Sequence, residues 1–583
     1  MFNFSDQSIY TARQIHFSWY DYCLFLVMLG SSVAIGIYFG CFGKKQNSAK
    51  EYLLGGKTMK VVPIAISLVA SHVSGVTVLA IPADVYKFGS NYGLVFISIA
   101  LTNLLAAYVT MPIFHKLQIT STYEYLQMRF DSKTRLMASL LFSIATLLYL
   151  PIVIYGPALA LAQVTPINLH LINPIICAIC IFYTTIGGLK AVVWTDTLQF
   201  GAMLGAIVAV LFLGISVVGG LGTVFNRSRE GGRFDIDFDL DPTKRDSFWA
   251  VVIGWTMNWI PHVAINQGAV QKCLSLPTLN DVKIAMLLFG IGTVFCKAAS
   301  VLTGLIMYAT YHDCDPFLLN RVHKNDQLLP YYIMDVANQI PGLSGLFIAG
   351  VFCAGLSTLS AQMNSFSGII YQDFVSRFMP RDISDEKVSN MLRLIVVVVG
   401  IISTTLVLVV EHLGGILALS IAFSGITSGP LLGLFTMGMI FPFANSKGAL
   451  IGSVCSLLIG CGIMVGNRIY QAAGILTYIP KPTSIEGCVA NVTNIASNTT
   501  IPNGGQYVFI LFRVSHYYYT LIGMFVVLAV GLPISWFTGK EKDVNKELIT
   551  PWMHWAIPKT STEKLPVYDL GMKEELKKLY ASN

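Results

Sequence analysis

Apolar residues in this chain fall in blocks of about 20, divided by short polar stretches. A block of that length is what a helix needs to cross a hydrocarbon layer ~30 Å thick. Thirteen such blocks occur among the 583 residues: 19–41, 61–82, 93–115, 136–162, 171–186, 191–218, 248–268, 284–311, 343–371, 392–410, 413–441, 449–465 and 516–537. The pattern predicts an all-α polytopic membrane protein of about 13 transmembrane helices. Composition agrees, with 54% hydrophobic and only 12% charged residues, where soluble domains carry ~25% charge. Mean hydropathy is +0.64.

Basic residues orient the blocks. Lys44, Lys45, Lys50, Lys57 and Lys60 follow the first block, Lys116, Arg129, Lys133 and Arg135 the third, and Arg377, Arg381, Lys387 and Arg393 the ninth. All three loops fall on the cytoplasmic side if the N-terminus lies outside. Residues 1–18 are then extracellular and the tail 538–583 is cytoplasmic. Loop 219–247 falls outside despite five basic residues; it also carries six acids and is long. Four glycosylation sequons, at Asn3, Asn226, Asn491 and Asn498, all land outside in this arrangement, the last two in loop 466–515. The same bias of Lys and Arg accounts for the net charge of +7 without a nucleic acid partner. Eleven cysteines lack paired CxxC spacing, so no zinc or redox motif is expected. Cys314 and Cys488 stand alone in two outer loops, where they either form a disulfide or stay unpaired. No nucleophile–base pair, metal cage or nucleotide motif occurs outside the blocks, and no cleavable leader is expected, so the chain reads as a non-enzyme of the bilayer.

With the first block set aside, 61–218 and 248–441 form two sets of five. Five is odd, so the sets have opposite orientation, and two C-terminal helices at 449–537 follow. Each set opens on an interrupted block. The first reads Ser71-His72-Val73-Ser74-Gly75 at its middle, and the second holds Pro261. Backbone groups in lipid must be paired, so a helix unwinds only where protein or water satisfies it. Paired interruptions in inverted halves point to a mid-depth binding site of a secondary transporter; the first stretch equally permits a kinked, continuous helix. The ninth block contains AGVFCAGLSTLSAQMNS (349–365), with Ser357, Thr358 and Ser360 inside one turn and Asn364 a turn further on. Neutral oxygens suit a monovalent ion that must bind and then leave, or they bond back to their own helix.

Seven runs in order carry a resemblance: VTVLAIPADVYKFG (76–89), VIYGPALALAQVT (153–165), TTIGGLKAVVWTDTLQ (184–199), INQGAVQKCLS (265–275), DQLLPYYIMDV (326–336), GLSTLS (355–360) and GPLLGLF…FPFANSKGA (429–449). The chain resembles the sodium/solute symporter family, in the branch of monocarboxylate, multivitamin and iodide carriers. The resemblance implies a five-plus-five inverted-repeat fold with broken first helices, carrying Na+ inward with a small solute and using no cofactor beyond that coupling ion. It implies a sodium site of the Ala70, Val73 and Ala354 carbonyls with the Ser357 and Thr358 side chains. It puts Asp196 on the sodium release path, although Thr195-Asp196 also suits a helix N-terminus. Thr77, where iodide carriers are expected to have glutamine, resembles the monocarboxylate group. Tyr155 and Trp255 are candidates to line the solute cavity, whereas Trp259 reads as packing. Lys297 is a candidate from position alone, since a charge mid-span needs a functional or structural partner and a carboxylate solute would serve.

Two departures qualify the resemblance. His72 stands in the break where a smaller or uncharged polar residue is expected, a source of pH sensitivity. Ala361-Gln362-Met363 replaces a hydroxyl-rich run, so fewer coupled ions are expected than in an iodide carrier. The expectation is a multi-pass plasma-membrane symporter importing a small organic anion such as lactate, pyruvate or a short-chain fatty acid by alternating access. The alternatives are a sodium-dependent carrier of vitamins (biotin, pantothenate) or another anion, or a non-coupled sodium/solute sensor or channel.

Overall fold

The computed structural model describes residues 17–42, 59–119, 121–337, 340, 342–380, 383–411, 416–488, 508–539, 541 and 544–557. Among them the chain is helical, with no strand. Ten helices are long and apolar enough to cross a membrane, eleven with one bent pair counted. The difference from thirteen arises at two places. Blocks 171–186 and 191–218 run on as Leu169–Val218, but Gly188 within it has φ 55° and ψ −157°. Essentially only glycine adopts that conformation, so two helices meet there at a kink. Block 248–268 contains the shorter apolar helix Ala250–Ile265.

The first interrupted block is broken rather than merely kinked: Val61–His72 and Val76–Phe88 are bent by 58°. Ser74 re-bonds the freed backbone, its hydroxyl accepting from the Val76 N–H at 3.2 Å and its carbonyl from the Thr77 N–H at 2.9 Å. In the second set the break is not at Pro261. Proline has no N–H to lose, and here it opens the π-helical turn Pro261–Ile265. The chain leaves the helix five residues later at Asn266 (φ −58°, ψ 129°), whose side chain accepts from the N–H groups of Gly268 and Ala269 and starts the helix Gln267–Leu274. Asparagine is a strong N-cap, and it sets the position of the interruption.

Small residues bring the helices close, as membrane packing requires. The Pro157 ring wedges between Gly75 and Gly355, where an added Cβ would meet it at 3.2 Å and 2.7 Å. Polar ties then gather at the two ends of the bundle. At one end Arg245 pairs with Asp84 and, at 2.7 Å, with Asp246, its guanidinium 3.8 Å over the Phe88 ring. Buried Arg233 donates there to the carbonyls of Tyr86, Gly231 and Pro482. Cys314 and Cys488 are disulfide-bonded with Cα atoms 5.1 Å apart, and Asn226 is exposed on the helix Leu221–Glu230. At the other end Arg129 donates to the carbonyls of Gly438, Phe441, Pro442 and Ala444, satisfying the C-terminal groups that every helix leaves unpaired. Arg135 and Ser139 both hold the Asp373 carboxylate there. Asn3, Asn491 and Asn498 lie outside the described residues.

Candidate functional site

Where Val61–His72 ends, its last carbonyls lose their helical partners. Two of them face the helix Leu343–Ile369. Ser357 Oγ donates to the Ala70 carbonyl at 2.8 Å, and Thr358 Oγ1 to the Ser71 carbonyl at 3.2 Å. Both hydroxyls also lie within reach of the Ala354 carbonyl, at 3.2 Å and 3.1 Å. Ala70, Ala354, Ser357 and Thr358 are thus brought together in a buried cluster of oxygens. Val73 sits in the break itself (φ −97°, ψ 84°), and it is Ser71 that supplies the carbonyl facing Thr358.

Asp196 is not a cap of its own helix but lies inside Leu169–Val218, fully buried. Its Oδ2 accepts from Ser67 Oγ at 2.6 Å, Lys272 Nζ at 3.0 Å and Ser71 Oγ at 3.4 Å. Ser71 therefore belongs to both clusters, its carbonyl to one and its hydroxyl to the other. Lys272 escaped the sequence reading because it lies beyond the apolar block, in a run that looks polar. The available signal was Asp196 itself, a mid-helix acid in need of a counter-charge.

Beside the first break opens a cavity of about 130 Å³, lined among others by Ser71, His72, Tyr149, Trp255, Trp259 and His262, and by no Asp or Glu among the described residues. Trp255 and Trp259 stack with centroids 5.8 Å apart, and both indole N–H groups are buried without a hydrogen-bond partner among the described residues. Behind them Lys297 donates to the Tyr92 hydroxyl at 3.0 Å. Its ammonium lies 5.0–5.4 Å from the ring centroids of Tyr92, Trp255 and Trp259, an aromatic cage, and it pairs with no carboxylate among the described residues. His262 Nε2 meets Ser424 Oγ at 2.7 Å. The His72 ring has carbonyl oxygens at both nitrogens, Leu68 at 2.8 Å and His262 at 3.1 Å. Of the four residues expected around the solute, Trp255 lines this cavity, Lys297 stands behind its wall, and Thr77 and Tyr155 stand off it. Thr77 is buried in the turn after the break, and the Tyr155 hydroxyl accepts from Lys324 at 3.1 Å, toward the disulfide end. Trp259, expected as packing, is part of the lining. A larger cavity of about 380 Å³ forms a vestibule at the disulfide end, touching Asp84 and Arg245.

Ten long apolar helices, with a further bent pair broken beside buried hydroxyls and a cavity, make this a multi-pass membrane protein. Residues 52–456 match the model of the Sodium:solute symporter family, and the chain belongs to that family. It is 38% identical over 550 residues to sodium-coupled monocarboxylate transporter 1 of Xenopus laevis, covering 91% of this chain and 88% of that protein. Against sodium-coupled monocarboxylate transporter 2 of Mus musculus it is 37% identical, with 92% and 87% covered. A putative sodium-dependent multivitamin transporter of Drosophila melanogaster is 34% identical, with 91% and 88% covered. Among solved structures the fold is similar to an outward-open Na+-coupled sialic acid symporter, with TM-score 0.73 and 24% identity over 90% of this chain and 99% of that one. Family membership makes this chain a sodium-coupled symporter with Na+ as its coupling ion.

Proposed function

We propose that this symporter imports a small organic monocarboxylate, of the size of lactate, pyruvate or a short-chain fatty acid, across the plasma membrane by alternating access. The observation that carries this reading is Lys297. Among the described residues, this ammonium has no carboxylate partner and the cavity it stands behind is lined by no acid. The resulting positive potential favours an anion, and the unpartnered indole N–H groups of Trp255 and Trp259 are donors for its oxygens. Thr77 and Tyr155 then serve the break and the path from the vestibule. Sodium is bound by Ala70, Ala354, Ser357 and Thr358, with Val73 at the edge of the break, and leaves past Asp196. The chain crosses the membrane 13 times as two inverted sets of five and three further helices, N-terminus outside and C-terminus inside. That arrangement puts the disulfide end, with Asn226, on the extracellular face for glycosylation, and it assigns the sequons at Asn491 and Asn498 to a loop on the same side.

The multivitamin relative at 34% identity favours a second reading, a carrier of biotin or pantothenate. A cavity of about 130 Å³ is small beside the ~300–1,000 Å³ that drug-sized ligands occupy, and argues for the smaller solute. The test is uptake of labelled lactate, pyruvate, butyrate, biotin, pantothenate and iodide in sodium medium and in choline medium. Sodium-dependent accumulation of the monocarboxylates alone is expected. Accumulation of biotin, pantothenate or iodide in their place overturns the proposed solute, and carboxylate flux indifferent to sodium overturns coupling.

A further inference from the structure

Lys272 Nζ lies 3.0 Å from Asp196 Oδ2, 3.1 Å from the Ser67 carbonyl oxygen and 2.5 Å from Ser71 Oγ. A carboxylate, a carbonyl and a hydroxyl around one positive charge make a set of hard oxygens that serves a small alkali ion as well as an ammonium. The lysine arrives there because the chain leaves its helix at Asn266 and restarts at Gln267, which carries Lys272 against the first broken helix. Both charges are shut away, Asp196 at 0% and Lys272 at 2% exposed. Through Ser71 they abut the Ala70–Ser357 pocket directly.

Two features set this pair apart from a tie that merely holds helices together. Taking two ions out of water costs several kcal/mol each, and the pair recovers it only when the remaining lone pairs are also satisfied. Here Asp196 Oδ1 is buried with no hydrogen-bond partner among the described residues. The helix Leu343–Ile369 also offers little to a second free ion at this level. Ser360 Oγ is turned back to the Ser357 carbonyl at 3.1 Å, and the next three residues are Ala361, Gln362 and Met363.

We propose that Lys272 is a tethered cation that stands where a second sodium ion would otherwise bind. It neutralises Asp196 throughout the cycle, so that one sodium ion, held at the Ala70–Ser357 pocket, accompanies each solute. This rests on that pocket being the coupling-ion site. Removing the ammonium leaves a bare carboxylate oxygen beside the Ser67 carbonyl and the Ser71 hydroxyl, and a sodium ion takes its place.

The test counts ions. Equilibrium binding of radioactive sodium to the purified full-length protein is expected to saturate at one ion per chain in the wild type and in Lys272→Arg. It is expected to saturate at two in Lys272→Gln and to return to one in the double variant Lys272→Gln, Asp196→Asn. One ion in a folded Lys272→Gln chain, or two already in the wild type, overturns the proposal. No saturable binding to the wild type overturns the sodium pocket instead. Should Lys272→Gln not survive purification, current per labelled solute in intact cells carries the same test. With a monovalent anion, one sodium per solute moves no net charge; Lys272→Gln is expected to add about one inward charge per solute, and unchanged electroneutrality overturns the tethered-cation role.

Discussion

Ser357 and Thr358 are neighbours in sequence, yet each reaches a different carbonyl of the first broken helix, Ala70 at 2.8 Å and Ser71 at 3.2 Å. Each also has the Ala354 carbonyl of its own helix in reach, and in the proposed sodium pocket these hydroxyls are ligands first and helix ties second. Ser357→Ala is therefore expected to leave surface expression intact and to raise the sodium concentration for half-maximal uptake about tenfold, ~1.4 kcal/mol. Thr358→Ala, which loses the longer contact, shifts it less. Uptake measured against external sodium checks both. The role proposed for Lys297 concerns the solute instead. Lys297→Gln removes the caged ammonium behind the cavity wall and is expected to raise the solute KM tenfold or more while sodium half-saturation stays within about twofold. Lys297→Arg keeps the charge and lies between. A change in sodium affinity as large as that in solute affinity would remove Lys297 from the solute site.

The elements that position these residues depend on a few backbone decisions. Gly188 turns one helix into the next at φ 55°, so Gly188→Ala is expected to destabilise the protein by about 1–3 kcal/mol, read as a lower thermal midpoint in detergent. Asp246, at the entry to Ala250–Ile265, has its carboxyl pushed by burial up to about 6, with the Asp84 charge adding to the rise and Arg245 opposing it. A carboxyl more proton-avid folded than unfolded takes up a proton on folding between about pH 4 and 6. Wild-type stability is therefore expected to rise, relative to Asp246→Asn, as pH falls across that window, by on the order of 2–3 kcal/mol; parallel melting curves from pH 4 to 7 check it. Helices of this kind are legible in a sequence because lipid demands whole blocks of apolar residues, and the hydroxyl cluster because it interrupts one. The second break lies beyond Pro261 because a π-turn accommodates the proline while Asn266 caps the helix that follows. Lys272 is legible only through the need of Asp196 for a counter-charge, and the place of Trp259 in the lining and the lean of Tyr155 toward the disulfide end are not legible. Which face of a helix meets a cavity is decided by its neighbours, and no periodicity within the helix itself reports them.

Across the whole molecule, charge ties gather at both ends of the bundle, and the alternating access proposed for it requires that they open in turn. At the disulfide end, the outer mouth in the proposed orientation, Arg245 fastens Asp84, on the far half of the first broken helix, to the loop entering Ala250–Ile265. At the opposite end, the inner mouth in that orientation, Arg135, at the start of the helix Ser132–Val164, fastens the fully buried Asp373 at the foot of the hydroxyl-bearing helix. Removing one partner of a buried pair costs ~3–5 kcal/mol in the state that keeps the other buried. About 5.5 kcal/mol carries a two-state equilibrium from 1:99 to 99:1. Either mouth is thus a lever on the conformational balance, and the two levers act in opposite directions. Arg135→Gln is expected to favour the inward-open form and to raise the external sodium concentration for half-maximal uptake several-fold. Asp84→Asn is expected to favour the outward-open form and to lower it. Loss of folded protein would depress the maximal rate of both variants and move neither midpoint, so shifts of opposite sign, measured on the same sodium titration of uptake, belong to gating. Shifts of the same sign would mean that the two ties do not take turns.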